Sequence, residues 1–139
     1  MKQLKALKLL EKIKQAQIDE VTPIVQRLVN EYTDISVKID ALLEQAEIEK
    51  QQLYAKGMGE DHVTFGRYYS GVLIKVEALK QQLLEIDEKL QIVRQELQEH
   101  FAAAKRYEIA ANNIEQQEQA ELDKKLMEQL DDISQLRRR

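Results

Sequence analysis

The chain has 139 residues, 33% of them charged and 5% aromatic, with a formal charge of −4. That length makes one domain. Rich in Leu, Glu, Gln, Lys and Ala, with Pro23 its single proline, it has the composition of long helices or coiled coil and not of a sheet protein. The acidic balance argues against bulk attraction to nucleic acid. With no cysteine there is neither a disulfide framework nor a thiolate metal site, and a reducing compartment fits. The opening MKQLKALKLLEKIKQ alternates lysine with apolar residues and lacks the unbroken apolar core of a signal peptide. No apolar run approaches the roughly 20 residues that cross a bilayer. The expectation is a soluble cytoplasmic protein, peripheral to any membrane through partners only.

The first arm carries Ile18, Val21, Val25, Leu28, Tyr32, Ile35, Ile39, Leu42, Ala46 and Leu53 in strict 3-4 spacing, with Glu49 in the one gap. Extended backwards, the phase meets Lys14, Glu11, Leu7 and Leu4. A mean spacing near 3.5 residues keeps one stripe of a helix facing a partner helix, so this is a coiled-coil seam. Pro23 removes one backbone donor and disfavours helix at Thr22. A fresh start with Thr22 as N-cap is one outcome, but the phase runs through unbroken, which favours a kink over a break.

All four glycines lie in GMGEDHVTFGRYYSG, residues 57–71. Beyond them a second seam runs through Phe65, Tyr69, Val72, Val76, Leu79, Leu83, Ile86, Leu90, Val93, Leu97, His100, Ala104, Tyr107, Ala111 and Ile114. Folding the chain about Gly59 sets every seam position opposite a seam position: Leu53 on Phe65, Ala46 on Val72, Leu28 on Leu90, Leu4 on Ile114. A shift of one heptad would centre the bend near residue 55 or 62, away from the Gly57–Gly59 pair that tolerates a tight reversal. The fold class is therefore all-α, two long helices forming an antiparallel coiled-coil hairpin with a C-terminal helical overhang. Helix 1 spans about 2–56, the bend about 57–63 and helix 2 about 64–137. Asp61 or Thr64 caps the returning helix, and Gly66 and Gly71 weaken its first turns. Glu11 faces Tyr107 and Glu49 faces Tyr69, within reach of a phenol hydroxyl. Lys14 faces Ala104, where its stem can snorkel outward.

The arms are unequal. Met1 pairs with residue 117, so 118–139 have no partner within the hairpin, roughly 30 Å of helix. The seam phase ends there, at Glu118, Glu121 and Lys125. Leu122, Leu126, Ile133 and Leu136 restart one step out of phase, with Met127 and Leu130 alongside. An unpaired amphipathic helix is either frayed or docked on another molecule.

Catalytic chemistry finds little support. The two histidines are His62, in the bend, and His100, in the seam, where Glu96 shares its helix face. A di-iron bundle needs four carboxylates with two Glu-x-x-His motifs, and neither motif is present. A structural His100 opposite Ile18 is the favoured account. The few serines have no His and Asp constellation, and GMGED lacks the phosphate-loop spacing and a preceding strand. EQQEQAELDKK is most simply a solvated helix face. A two-helix rod has no concave pocket to exclude water. No enzyme, no cofactor and no metal are expected.

Four surfaces could carry contacts, each with a plainer alternative. The overhang stripe is otherwise a frayed tail or a self-association face. Lys2, Lys5, Lys8, Lys12 and Lys14 lie beside Arg137, Arg138 and Arg139 if the tail stays helical, and otherwise serve solubility and the helix-end dipole. Phe65, Tyr68 and Tyr69 cluster near the bend, two of them on the seam. Val37, Ile74, Leu84 and Ile92 point outward, as scattered apolar residues commonly do.

The long second arm, RYYSGVLIKVEAL after the bend and HFAAAKRYEIAANNIEQQEQAELDKKLMEQLDDISQLRRR at residues 100–139 carry a family likeness. Over nearly its whole length the chain resembles the flagellar export protein FliJ and its injectisome counterparts, the stalk proteins of type III secretion ATPases. The resemblance implies a hairpin similar to the central shaft of rotary ATP synthases. Its open end would enter a hexameric ATPase ring and promote assembly and hydrolysis. Another part would touch the export gate, and export chaperones are further partners. It implies ring contacts at Leu122, Leu126, Leu130, Ile133, Arg137, Arg138, Arg139, Lys5 and Lys8. It implies gate contacts at Tyr68, Val72 and Leu79, two of which fall on the seam. A prefoldin-like chaperone is an alternative, but residues 54–71 offer only VTF as strand-like. A passive structural coiled coil that dimerises into a four-helix bundle is another.

Overall fold

The computed structural model describes residues 2–57 and 61–138, with nothing of the Asp61 side chain. Two helices make up the chain, α1 over Lys2–Lys56 and α2 over Asp61–Arg138, in an antiparallel hairpin with α2 much the longer. The fold axis at Gly59 and the pairing of Met1 lie outside the described residues.

α1 ends where the sequence expects. Lys56 sits in its last turn, where a cation complements the carbonyl end of the dipole. Gly57 follows at φ +80°, the left-handed conformation that a side chain disfavours and that ends many helices. α2 begins earlier than expected. Its first residue is Asp61 and not 64, so Thr64 lies inside the helix and caps nothing. Val63, Thr64 and Phe65 are helical, which removes the one strand-like run. Pro23 does not break α1, and Thr22 starts no new helix. The missing proline N–H leaves the Asp19 carbonyl without its usual donor.

Two compact units share the helices: Met1–Glu20 with Leu97–Arg139, and Val21–Glu96. The division of α1 falls in the turn that precedes Pro23.

The core of the Val21–Glu96 unit is a chain of small clusters. Ile39, Ala46, Val72 and Val76 form one, with Ile35, Leu42, Leu79 and Leu83 packed on it. Leu28, Ile86 and Leu90 form the next, with Val25, Val29, Ile35 and Val93 around it. These clusters unite the opposed pairs the register assigns: Ala46 with Val72, Ile39 with Leu79, Leu28 with Leu90 and Val25 with Val93. Every one of these residues but Val29 lies on a seam read from 3-4 spacing. Tyr32 and Tyr69 also occupy seam positions but are exposed, as a contact only two helices wide cannot cover a large ring.

In the other unit the seam continues through half-buried Leu4, Leu7, Glu11 and Lys14 and buried Ile18 on α1. Opposite them on α2 lie half-buried Leu97, His100, Ala104, Tyr107 and Ile114 and buried Ala111. Ala103 is buried more deeply than Ala104, so the seam here is shared between adjacent alanines. The paired region reaches Glu118, which is half-buried, one position beyond the expected limit. From Gln119 to Arg138 every residue is exposed and helical.

Candidate functional surfaces

The overhang is one helical surface. Leu122, Leu126, Met127, Leu130, Ile133 and Leu136 are all at least half exposed; Leu122, Leu126, Leu130, Ile133 and Leu136 follow each other at steps of three or four that share a helix side, with Met127 beside Leu126. Acidic residues flank the stripe and Arg137 and Arg138 close it in the last turn. Gln119 donates to Asp123 at 3.1 Å, a local contact along the helix surface. Arg139 lies outside the described residues.

The lysines expected beside those arginines are elsewhere. Lys8 Nζ meets Glu115 Oε1 at 2.8 Å across the two helices. That hydrogen bond and the carboxylate charge raise the lysine pKa above its ordinary value. Because α2 is unbroken, Arg137 sits roughly 33 Å further along its axis than Glu115 at 1.5 Å per residue. The lysines and the arginines are thus two basic groups separated by an acidic stretch, not one patch. Lys5 is exposed near the start of α1.

Near the bend, Tyr68 and not Tyr69 reaches Glu49. Adjacent residues on a helix point about 100° apart, and the phenol one step off the seam has the clearer path around the rim. Desolvation, then the Glu49 charge and its hydrogen bond, raise the Tyr68 pKa. Tyr69 stacks on Phe65, with ring centroids 5.8 Å apart. A groove of about 470 Å³ is lined by Glu49, Gln52, Leu53, Lys56, Thr64, Phe65 and Tyr68. Of the residues implied for gate contact, Tyr68 alone presents a surface. Val72 is buried in the first cluster and Leu79 packs against it, so both are core side chains in this conformation.

Lys14 does not snorkel to solvent past Ala104. Its Nζ lies 3.5 Å from His100 Nδ1, on the neighbouring turn of α2. Lys14 and His100 are both half-buried at the seam, so the polar pair fills a gap between the helices. Among the described residues no three His, Asp or Glu side chains converge as a metal site would require.

One exposed surface on α1 had no place among the candidates. Leu9 and Ile13 are exposed on the side away from the seam, with Ala6 and Ala16 in line and exposed Leu10 on the seam's flank. The 6, 9, 13, 16 period is legible in the sequence beneath the lysine-rich spacing of this stretch. The outward Val37, Ile74, Leu84 and Ile92 are exposed, as expected.

No helix among the described residues is long and apolar enough to cross a membrane. Comparison with protein-family models, with characterised proteins and with solved structures gives no match to this chain.

Proposed function

We propose that the chain is a non-enzymatic stalk of a type III protein export apparatus, flagellar or injectisome. In this account the overhang enters a hexameric ATPase ring at the cytoplasmic face of the membrane, promotes ring assembly and hydrolysis, and couples the ring to an export gate. The observation that carries the proposal is the overhang itself: a helix that extends past its partner, with a continuous apolar stripe and arginines at its tip. A helix entering a ring needs contact residues on a segment free of intramolecular pairing, and 119–138 meets that need.

Ring contact falls to Leu122, Leu126, Leu130, Ile133 and the terminal arginines. Lys5 and Lys8 stand further back, and Lys8 is engaged with Glu115. Gate contact falls to Tyr68 and the groove beside it. The prefoldin-like alternative loses support, because the one strand-like run is helical.

Binding of the full chain to a purified secretion ATPase, measured by light scattering or sedimentation, tests the assignment. Leu126→Asp with Leu130→Asp removes the stripe without touching the seam. Loss of binding in that variant, with binding retained in Ile74→Asp, supports a ring-facing overhang. Equal binding by both variants would remove the overhang from the interface.

A further inference from the structure

We infer that the chain forms a reciprocal dimer in which the overhang of each copy lies parallel along the outer face of α1 in the other. This inference stands on two surfaces of the same unit and not on the stalk assignment.

The first surface is the exposed line Ala6, Leu9, Ile13, Ala16 and Glu20 on α1, on which Leu9 is 60% and Ile13 46% exposed. The second is Leu126, Leu130, Ile133 and Arg137 on the overhang. Both have the same spacing of four, three and four from Leu9 and from Leu126. Set parallel in that register, Leu126 meets Leu9, Leu130 meets Ile13, Ile133 meets Ala16 and Arg137 meets Glu20. Met127 falls opposite Leu10, while Leu122 and Leu136 fall opposite Lys5 and Asp19 and lie outside the matched line.

Charge favours the same arrangement. Five lysines against one glutamate give residues 1–14 a formal charge of +4. Five acids against two lysines give residues 118–131, which face them in this register, a charge of −3. In the stated register, one residue past the apolar contacts, Glu121 reaches Lys5 and Glu128 reaches Lys12, all of them exposed. Such complementarity orients partners and penalises the wrong register.

A second copy is the occupant because the overhang cannot turn back on its own α1. α2 is one helix through Arg138, so its last turns lead away from the residues they match. A two-fold axis uses both surfaces twice, closes the assembly and builds a local three-helix bundle at each end. The dimer covers the face assigned above to the ATPase ring, so ring-bound and dimeric states exclude one another.

Sedimentation equilibrium of the full chain across the micromolar range tests this, with variants at exposed positions and helicity checked by circular dichroism. A monomer–dimer equilibrium is expected, and Leu130→Glu should raise its dissociation constant by about tenfold or more. Lys12→Glu should weaken the dimer, and adding Glu128→Lys should restore it. Mixing Ile13→Cys chains with Leu130→Cys chains under oxidation should give the mixed disulfide, whereas Ile74→Cys with Leu130→Cys should not. A monomer throughout the range leaves these faces to other molecules and overturns the inference. So does a dimer that ignores Leu130→Glu, or a double charge swap that fails to restore association.

Discussion

Truncating one leucine in the seam and one in the overhang should separate the two halves of α2 by stability. Leu90 is 4% exposed and packed among Leu28, Ile86, Val25 and Val93. Leu90→Ala removes buried methylene groups and leaves a void that two helices close only in part. Core Leu→Ala changes cost about 2–5 kcal/mol. A core one seam wide collapses more readily than a thick one, which places this change near the lower end, about 2–3 kcal/mol. Leu130 is 61% exposed on the overhang and touches no core cluster. Leu130→Ala should stay within about 0.5 kcal/mol, as surface changes do. Both residues are helical, and leucine and alanine are close in helix propensity, so the difference isolates burial. Urea denaturation followed by helical circular dichroism, at concentrations too low for self-association, gives both values. The slope against denaturant should match wild type in each variant, so that the midpoints report stability. Equal losses would mean that the overhang is packed against its own chain and that the division at Glu118 is wrong.

Other perturbations test single features. A Cβ at Gly66 or Gly71 would meet no atom within 4 Å. Gly66→Ala and Gly71→Ala should each therefore stabilise the chain by about 0.5–1 kcal/mol in thermal melts. Gly57 has φ +80°, so Gly57→Ala should destabilise by about 1 kcal/mol in the same assay. Ala46 is the most deeply buried core residue, and Ala46→Leu should cost about 1–3 kcal/mol by overpacking in urea denaturation. Folding raises the Tyr68 pKa above 10.0 and so favours the protonated phenol. The stability this contributes is complete below pH 10 and is lost as pH rises through the higher folded value. Phenolate absorbance should show Tyr68 ionising above pH 10.0, and Glu49→Gln should lower its midpoint by removing the carboxylate charge.

The hairpin was legible because a seam repeats. The 3-4 spacing from Ile18 to Leu53 and from Phe65 to Ile114 gave both helices, and the glycine pair chose among heptad-shifted registers. Ala103 and Ala104 defeated the pattern, since neighbouring residues of one size carry no signal for which faces the partner. Tyr68 and Tyr69 raised the same difficulty at the rim, where ring reach and not phase decides which phenol meets Glu49. Lys8, expected beside the terminal arginines, meets Glu115 instead. Side-chain length carried Lys14 to His100 and not past Ala104. The start of α2 was set three residues late because Thr64 looked like a cap. The overhang stripe was visible as apolar residues out of phase with the seam. The lysines and arginines lie apart, against expectation, because twenty further residues of unbroken helix carry the arginines roughly 30 Å beyond the paired region.

The most direct test of the stalk account is ATP hydrolysis by a hexameric secretion ATPase with the full chain and with a truncation after Glu118, the last half-buried residue among those described. The account predicts that the full chain stimulates hydrolysis. The truncation, still helical by circular dichroism, should leave hydrolysis at the basal rate. No stimulation by the full chain, or equal stimulation by both, would contradict the assignment of the overhang to the ring.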